Sequence, residues 1–401
     1  MQQCMGRWFQ SFVLPSRAVI SRLAPRMSTI TPIRAGVAAW LGVLFCLVFT
    51  LNTVGGWVRL SGSGVAIPHW PVIERGNSWT LLPPFSAEGW SEMHSAFELH
   101  QARLQVRIER GELTAANLGR QPRDADDFRA MFLTEWSHRL LAAITGLVAA
   151  AVIISTLRHA ELRRLAGIPL VGAGLLIIAQ AVLGGLLVSE GTSTHWLFLH
   201  QGNAGLIMSL ITWAILRLLV PDGIDPFKEG VGRRWVRRLT AFAMAGVWVQ
   251  LVGGALVAGS RHQVQGEVPL GLTMLTQLWN PDRSMSWNLL DNAWLHLWLH
   301  RWWAWTLCAL CAALYVVAYR SPTGLRQRLA LQVSGTFLAL QIVFGLANAV
   351  IGTSPLIALA HQALGMCLLL SLVLAWHDAR FEPVADDVRE PSGQPGSGVT
   401  I

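Results

Sequence analysis

Hydrophobic positions in this chain run on for some twenty residues at a time, and polar positions gather between the runs. Eight such runs lie near residues 36–56, 132–156, 167–188, 197–219, 239–259, 294–319, 329–352 and 357–376. Each is about 20 residues or longer, which at a rise of about 1.5 Å per residue matches a hydrocarbon core about 30 Å thick. The pattern predicts an all-α integral membrane protein with eight transmembrane helices. Composition agrees, since 53% of the 401 residues are hydrophobic and only 13% are charged, as expected where most of the chain faces lipid or protein.

The net charge of +8 is almost all arginine; Lys228 is the only lysine. In a membrane-crossing chain such an excess reports topology before it suggests nucleic-acid binding, and no nucleic-acid motif is present. Arg7, Arg17, Arg22, Arg26 and Arg34 precede the first run. Arg158, Arg163 and Arg164 join runs two and three, Lys228, Arg233, Arg234, Arg237 and Arg238 join four and five, and Arg320, Arg326 and Arg328 join six and seven. The alternate connections carry none, none and two (Arg261 and Arg283), apart from the long mixed-charge segment 59–131. Basic connections favour the cytoplasmic side, so both termini are expected inside.

The organisation expected is a cytoplasmic tail (1–35), a first bundle (36–219) with an external loop (59–131), and a basic cytoplasmic linker (220–238). A second bundle (239–376) and a disordered tail (377–401) follow. The loop has helical character over 91–112 and 124–131, so it is expected to fold as a small cap. Residues 1–26, arginine-rich and acid-free, read as a retained tail or a transit peptide. The excess of arginine over lysine points to a bacterial inner membrane; the mitochondrial inner membrane is the alternative.

One half of the chain repeats the other. His138-Arg139 and His300-Arg301 stand 162 residues apart (300 − 138), and His200-Gln201 and His361-Gln362 stand 161 apart (361 − 200). QAVLGG (180–185) and QIVFGL (341–346) share the offset of 161, and NTVGGWVRLSG (52–62) matches QLVGGALVAGS (250–260). Four crossings return a chain to its starting side, so the halves are parallel repeats: two pseudo-symmetric four-helix bundles about an axis along the membrane normal. The paired glycines let helices approach closely.

All four histidines fall about two turns or less into their helices, at one depth. Ionisable groups inside a membrane are costly and are functional candidates by default. Two neutral imidazoles on facing helices can take the two axial faces of a haem iron, which pairs His138 with His200 and His300 with His361. For any one of them alone, packing or a hydrogen bond is the simpler role; four at matched depth in matched repeats favour ligation. Glu135 breaks the symmetry. It lies one turn before His138, where the other half has Leu297. It either pairs with Arg139 four residues on or stabilises developing positive charge and moves protons. Arg139, Arg301 and Arg59 are candidate partners for haem propionates, or else snorkel to the interface. The many tryptophans, Trp70 and Trp79 among them, read as interfacial belts.

Other groups carry less. His296 and His300 are an i,i+4 pair with no third ligand type beside them. His69, His94, His100, His195 and His262 are expected to be solvated in outer loops, and His159 and His377 to lie just past helix ends. The cysteines make no disulfide framework; Cys308 and Cys311 sit mid-helix and read as packing residues.

Together GGWVRLSGSG (55–64), EWSHR (135–139), LHQG (199–202), LLDNAWLHLWLHR (289–301) and LAHQ (359–362) resemble the haem A synthase family in order and across both halves. The resemblance implies haem B as cofactor in the C-terminal half, with His300 and His361 binding its iron. It implies haem O as substrate in the N-terminal half near His138 and His200, with Glu135 catalytic. The family oxidises the C8 methyl of haem O to a formyl group by successive hydroxylations during cytochrome oxidase biogenesis. Implied partners are membrane lipid, haem O synthase, an electron donor and cytochrome oxidase subunits; an oligomer is open. The chain departs from the family in the loops that cap the sites. The cysteine pair of some members is missing, PHWPVIERGNSW (68–79) is only loosely similar, and the 260–293 loop lacks the usual Trp-Pro segment. Two other functions fit the four histidines: a dihaem b-type electron carrier, and a haem-binding transporter or assembly factor. Glu135 on one side only favours the enzyme.

Overall fold

In the computed structural model, residues 30–381 are described except 76–77, 114–116, 192, 221–229, 261–271 and 352–353. Most of the N-terminal tail, much of the linker (with Lys228), His262 and residues 382–401 therefore lie outside the described residues. In chain order the elements are α1 (Pro32–Leu60), β1 (Ile73–Arg75), β2 (Ser78–Thr80), α2 (Ala87–Glu109), α3 (Ala125–Arg158), α4 (Ala160–Ser189) and α5 (Thr194–Leu219). Then come α6 (Val231–Ser260), a 3-10 turn (Leu272–Gln277), α7 (Met285–Leu290), α8 (Ala293–Arg320), α9 (Leu325–Val350) and α10 (Pro355–Phe381). Eight of these, α1, α3, α4, α5, α6, α8, α9 and α10, are long and apolar enough to span a membrane.

The helices outrun the hydrophobic stretches because their ends are set by caps. Pro32 opens α1, with Thr31 Oγ1 accepting from the Arg34 N–H, a proline start over a hydroxyl cap. Gly62, at φ +71°, follows its end, a left-handed turn that favours glycine. Asp124 caps α3 through the Asp127 N–H at 2.8 Å. Residues 125–131 are thus the first two turns of α3, not a separate piece of the cap. Likewise 231–238 is helix, not linker. Residues 377–381 are the last turn of α10, not disordered tail: His377 and Asp378 are fully buried. Asp378 Oδ1 sits 3.1 Å from Arg326 Nη2 and 3.0 Å from His377 Nδ1, so a buried charge is paired, as it must be.

Helices α1, α3, α4 and α5 pack in a closed ring, each against the next; α6, α8, α9 and α10 do the same. Helices α1, α5, α6 and α10 meet at the seam between the two rings. One continuous core crosses that seam, including Leu44, Met208, Ile211, Val247, Leu307, Leu314, Met366 and Leu372. Lipid is as apolar as this core, so close packing and interhelical hydrogen bonds hold it together. Trp248 Nε1 donates to the Gly202 carbonyl at 2.8 Å and Gln362 Nε2 to the Asn52 carbonyl at 3.0 Å.

The segment between α1 and α3 forms the expected cap, with one unforeseen part: an antiparallel pair β1–β2 in register Ile73↔Thr80. Its own small core joins Val65, Ile67, Ile73, Met93 and Phe97 to Phe128 and Phe132 of α3. The cap leans on the α4–α5 turn, where Asn117 Nδ2 donates to the Glu190 carbonyl at 2.6 Å.

Candidate functional site

Each ring presents two histidines on facing helices. His138 is on α3 and His200 on α5; His300 is on α8 and His361 on α10. His200 lies within electrostatic reach of His138, and His300 within reach of His361. The pairs that the spacing predicts are the pairs that the fold brings together.

The remaining two helices of each ring supply glycines. A β-carbon on Gly55 of α1 would stand 3.0 Å from His138 Nε2, and one on Gly184 of α4 would stand 3.6 Å from His200 Cε1. In the other ring a β-carbon on Gly254 of α6 would lie 3.2 Å from His300 Cε1, and one on Gly345 of α9 would lie 3.3 Å from His361 Cε1. Every imidazole therefore lies flush against a neighbouring helix that has no side chain there. Glutamines brace the same turns. Gln180 Nε2 donates to the His200 carbonyl at 3.1 Å, Gln341 Nε2 to the His361 carbonyl at 2.5 Å and Gln250 Nε2 to the His300 carbonyl at 3.0 Å. Sequence reasoning missed these braces, although Gln180 and Gln341 open the repeated QAVLGG and QIVFGL segments.

The Nδ1 atoms of His200, His300 and His361 are buried without a hydrogen-bond partner. A buried polar atom left unpaired costs about 1–3 kcal/mol, and three at equivalent places call for a common cause. Facing imidazoles, three of them with an unpaired buried nitrogen, suit the two axial positions of a metalloporphyrin. No cluster of three or more His, Cys, Asp or Glu that would hold a bare metal ion occurs among the described residues.

Glu135 and Arg139 do more than pair. Glu135, 3% exposed, has Oε1 2.5 Å from Arg139 Nη2 and accepts the Ile67 N–H on Oε2 at 2.8 Å. Arg139 donates in turn to the carbonyls of Ile67, at 2.7 Å, and His69. The two side chains clamp the strap 65–70 to α3 beside His138. In the other half Leu297 holds no such clamp, and Arg301, half-buried, makes no side-chain hydrogen bond or ion pair to any described residue. Arg59 reaches across the seam to the Ala258 carbonyl, so it ties the halves together.

Several secondary expectations change. His296 is buried and satisfied, Nδ1 at 3.0 Å from Ser260 Oγ and Nε2 at 3.0 Å from the Leu289 carbonyl, which leaves no nitrogen for an i,i+4 metal. His195 is not a solvated loop residue: it lies in α5 and meets Asp291 at 3.3 Å across the seam. His94 packs on Phe128 with ring centroids 4.6 Å apart. Half-buried His100 is held below the usual imidazole range by burial, and His69 meets Glu74 at 3.2 Å. Trp136 and Trp303 are not simply belt residues, since their indole N–H groups reach the carbonyls of Leu81 and Gly246.

The profile of the family described as cytochrome oxidase assembly protein (COX15-CtaA) matches residues 38–373, from α1 into α10 and through both histidine pairs. The chain belongs to this family. Among its relatives, the protein named Heme A synthase of Paracoccus denitrificans is 30% identical over 89% of this chain and 91% of its own length. That of Bradyrhizobium sp. is 31% identical over 87% and 93%, and that of Erythrobacter litoralis 29% identical over 85% and 96%. Members of this cytochrome oxidase assembly family named in these comparisons thus align with both rings, not with one.

Proposed function

We propose that this protein is a haem A synthase, a multi-pass membrane oxidoreductase that converts the C8 methyl of haem O to a formyl group in cytochrome oxidase assembly. The observation that carries the reading is the pair of facing, glycine-backed imidazole sets, one in each ring, in a chain whose relatives named Heme A synthase align over both. His300 and His361 hold haem B, and the free guanidinium of Arg301 meets a propionate. His138 and His200 hold haem O, with Arg139 as a propionate partner at the edge of the clamp and Arg59 steadying the adjoining end of α1. The matched glycines and glutamine braces support two pseudo-symmetric bundles with distinct loads. The arginine-rich ends face the cytoplasm, which puts both sites in the outer third of the membrane.

The bound haem iron supplies the oxidising chemistry. The protein's own residues orient the substrate, exclude water and manage charge. Glycines of helices α1 and α4 seat the His138 and His200 rings, and the Gln180 brace on the His200 carbonyl keeps that turn rigid. Glu135 is a fixed anion one turn from His138. Its orientation is locked by Arg139 and the Ile67 N–H, so it meets positive charge developing on the substrate without reorganising. A carboxylate in that place can also take up a proton.

The test is the haem content of membranes with equal amounts of wild type and Glu135→Ala. Accumulation of haem O beside an unchanged b-type spectrum is expected. Near-normal haem A would reduce Glu135 to a clamp residue and return the dihaem electron carrier to the front.

A further inference from the structure

The strap 65–70 crosses from α3 to α4 at the histidine end, and among the described residues neither of its attachments has a counterpart in the C-terminal half. At α3 it is held by Glu135 and Arg139. At α4 the Trp70 ring lies on Gly185, where a β-carbon would come within 2.9–3.2 Å of Cε3, Cδ2 and Cζ3. Gly185 adjoins Gly184, the residue against which His200 rests. The repeat places Leu297 at the position of Glu135 and Leu346 at that of Gly185 (185 + 161). Leu346 is 58% exposed, so among the described residues the second half has neither this clamp nor this seat for an indole.

We infer that Trp70 is the positioning residue that closes the N-terminal site between α3 and α4, covering haem O once bound and yielding to let it pass. This rests on the substrate assignment above. The physical case is that a resident cofactor enters once whereas a substrate exchanges every turnover, so only the substrate site needs a cover that moves. Trp70 suits that use. The residue is 43% exposed and its ring is seated by shape on a glycine. The strap backbone beneath it is pinned, so the ring can swing while the strap stays.

The experiment uses full-length protein in detergent, prepared from cells lacking haem O, with diethylpyrocarbonate as the probe and peptide mass spectrometry as the readout. Trp70→Ala should raise the carbethoxylation rates of His138 and His200 about fivefold, as expected when an exposed aromatic cover is removed. His296 in the other ring and the b-type spectrum should not change. In the catalytic assay the KM for haem O should rise about tenfold with kcat nearly unchanged, the signature of lost substrate binding. Trp70→Phe should restore both. Gly185→Val is the second route to the same end, because it removes the seat and leaves Trp70 in place. Unchanged labelling of His138 and His200 in both Trp70→Ala and Gly185→Val would overturn the proposal. If wild-type protein binds haem O while His138 and His200 stay fully reactive, the substrate assignment itself falls, and this inference with it.

Discussion

The two rings use the same ligand geometry and differ in what surrounds it. Around His138 and His200 there is a cap with its own core, a pinned strap and a buried carboxylate. Around His300 and His361 the equivalent positions are Leu297 and Leu346, and the described outer segment is a short turn and α7, knit by Asn288 and Asn292. On the function proposed above, the repeat supplies a metalloporphyrin cradle twice, and the connection between its first two spans makes one copy the reaction site. The fold's common part lies in the helices; the division of labour lies in residues that approach from outside them.

The sharpest break of that comparison is to remove ligands one ring at a time. His300→Ala or His361→Ala should abolish the low-spin b-type spectrum of the purified protein, whereas His138→Ala and His200→Ala should leave it in place. Loss of the spectrum from the N-terminal variants instead would invert the assignment of the two rings.

A smaller but still large effect is expected at the asymmetric carboxylate. Glu135→Ala should slow haem A formation by about 100-fold, or ~3 kcal/mol, the usual cost of losing one fixed electrostatic stabiliser. Introducing a carboxylate at the equivalent place, Leu297→Glu, should not create activity in the second ring. A rate change of only a few-fold, measured on haem O and haem A, would count against a catalytic Glu135 and leave it the buried clamp to Arg139 and Ile67.

The glycine seats give a graded comparison within one ring. Gly55→Ala places a methyl 3.0 Å from His138 Nε2, while Gly184→Ala places one 3.6 Å from His200 Cε1, which is ordinary contact. The first should weaken haem O binding by about 1–2 kcal/mol through overpacking and the second should be nearly silent, as read from absorbance titrations of each variant.

The smallest effect is expected at the seam. Asp291→Asn removes the partner of a partly exposed His195. It should lower stability by about 1 kcal/mol or less and leave both haem contents unaltered, as checked by thermal inactivation and pigment extraction. A large loss in one ring only would mean that this contact, rather than the core across α1, α5, α6 and α10, keeps the rings in register.

Most of the helical frame was legible in the residues because a bilayer leaves a chain few choices. Backbone groups in lipid must be satisfied within each segment, so long apolar runs become helices and their number and order follow directly. The four histidines were legible for a related reason: an imidazole in an apolar run is conspicuous, and the repeat offset marks its counterpart in the other half. Helix ends beyond the apolar runs, such as the extension of α10 through His377 and Asp378, were not. Their burial depends on Arg326 and Trp213 arriving from other helices.

What the sequence by itself determined was local: eight spans, the spacing of the glycines and the depth of the histidines. Only the tertiary structure decided that Ile67 meets Glu135 across 68 residues, that Gln362 meets Asn52 across 310, and that Trp70 comes to rest on Gly185 rather than in an interfacial belt. No periodicity encodes such meetings. They follow from how eight helices pack once each is formed, where van der Waals fit and interhelical hydrogen bonds choose neighbours that lipid itself does not distinguish.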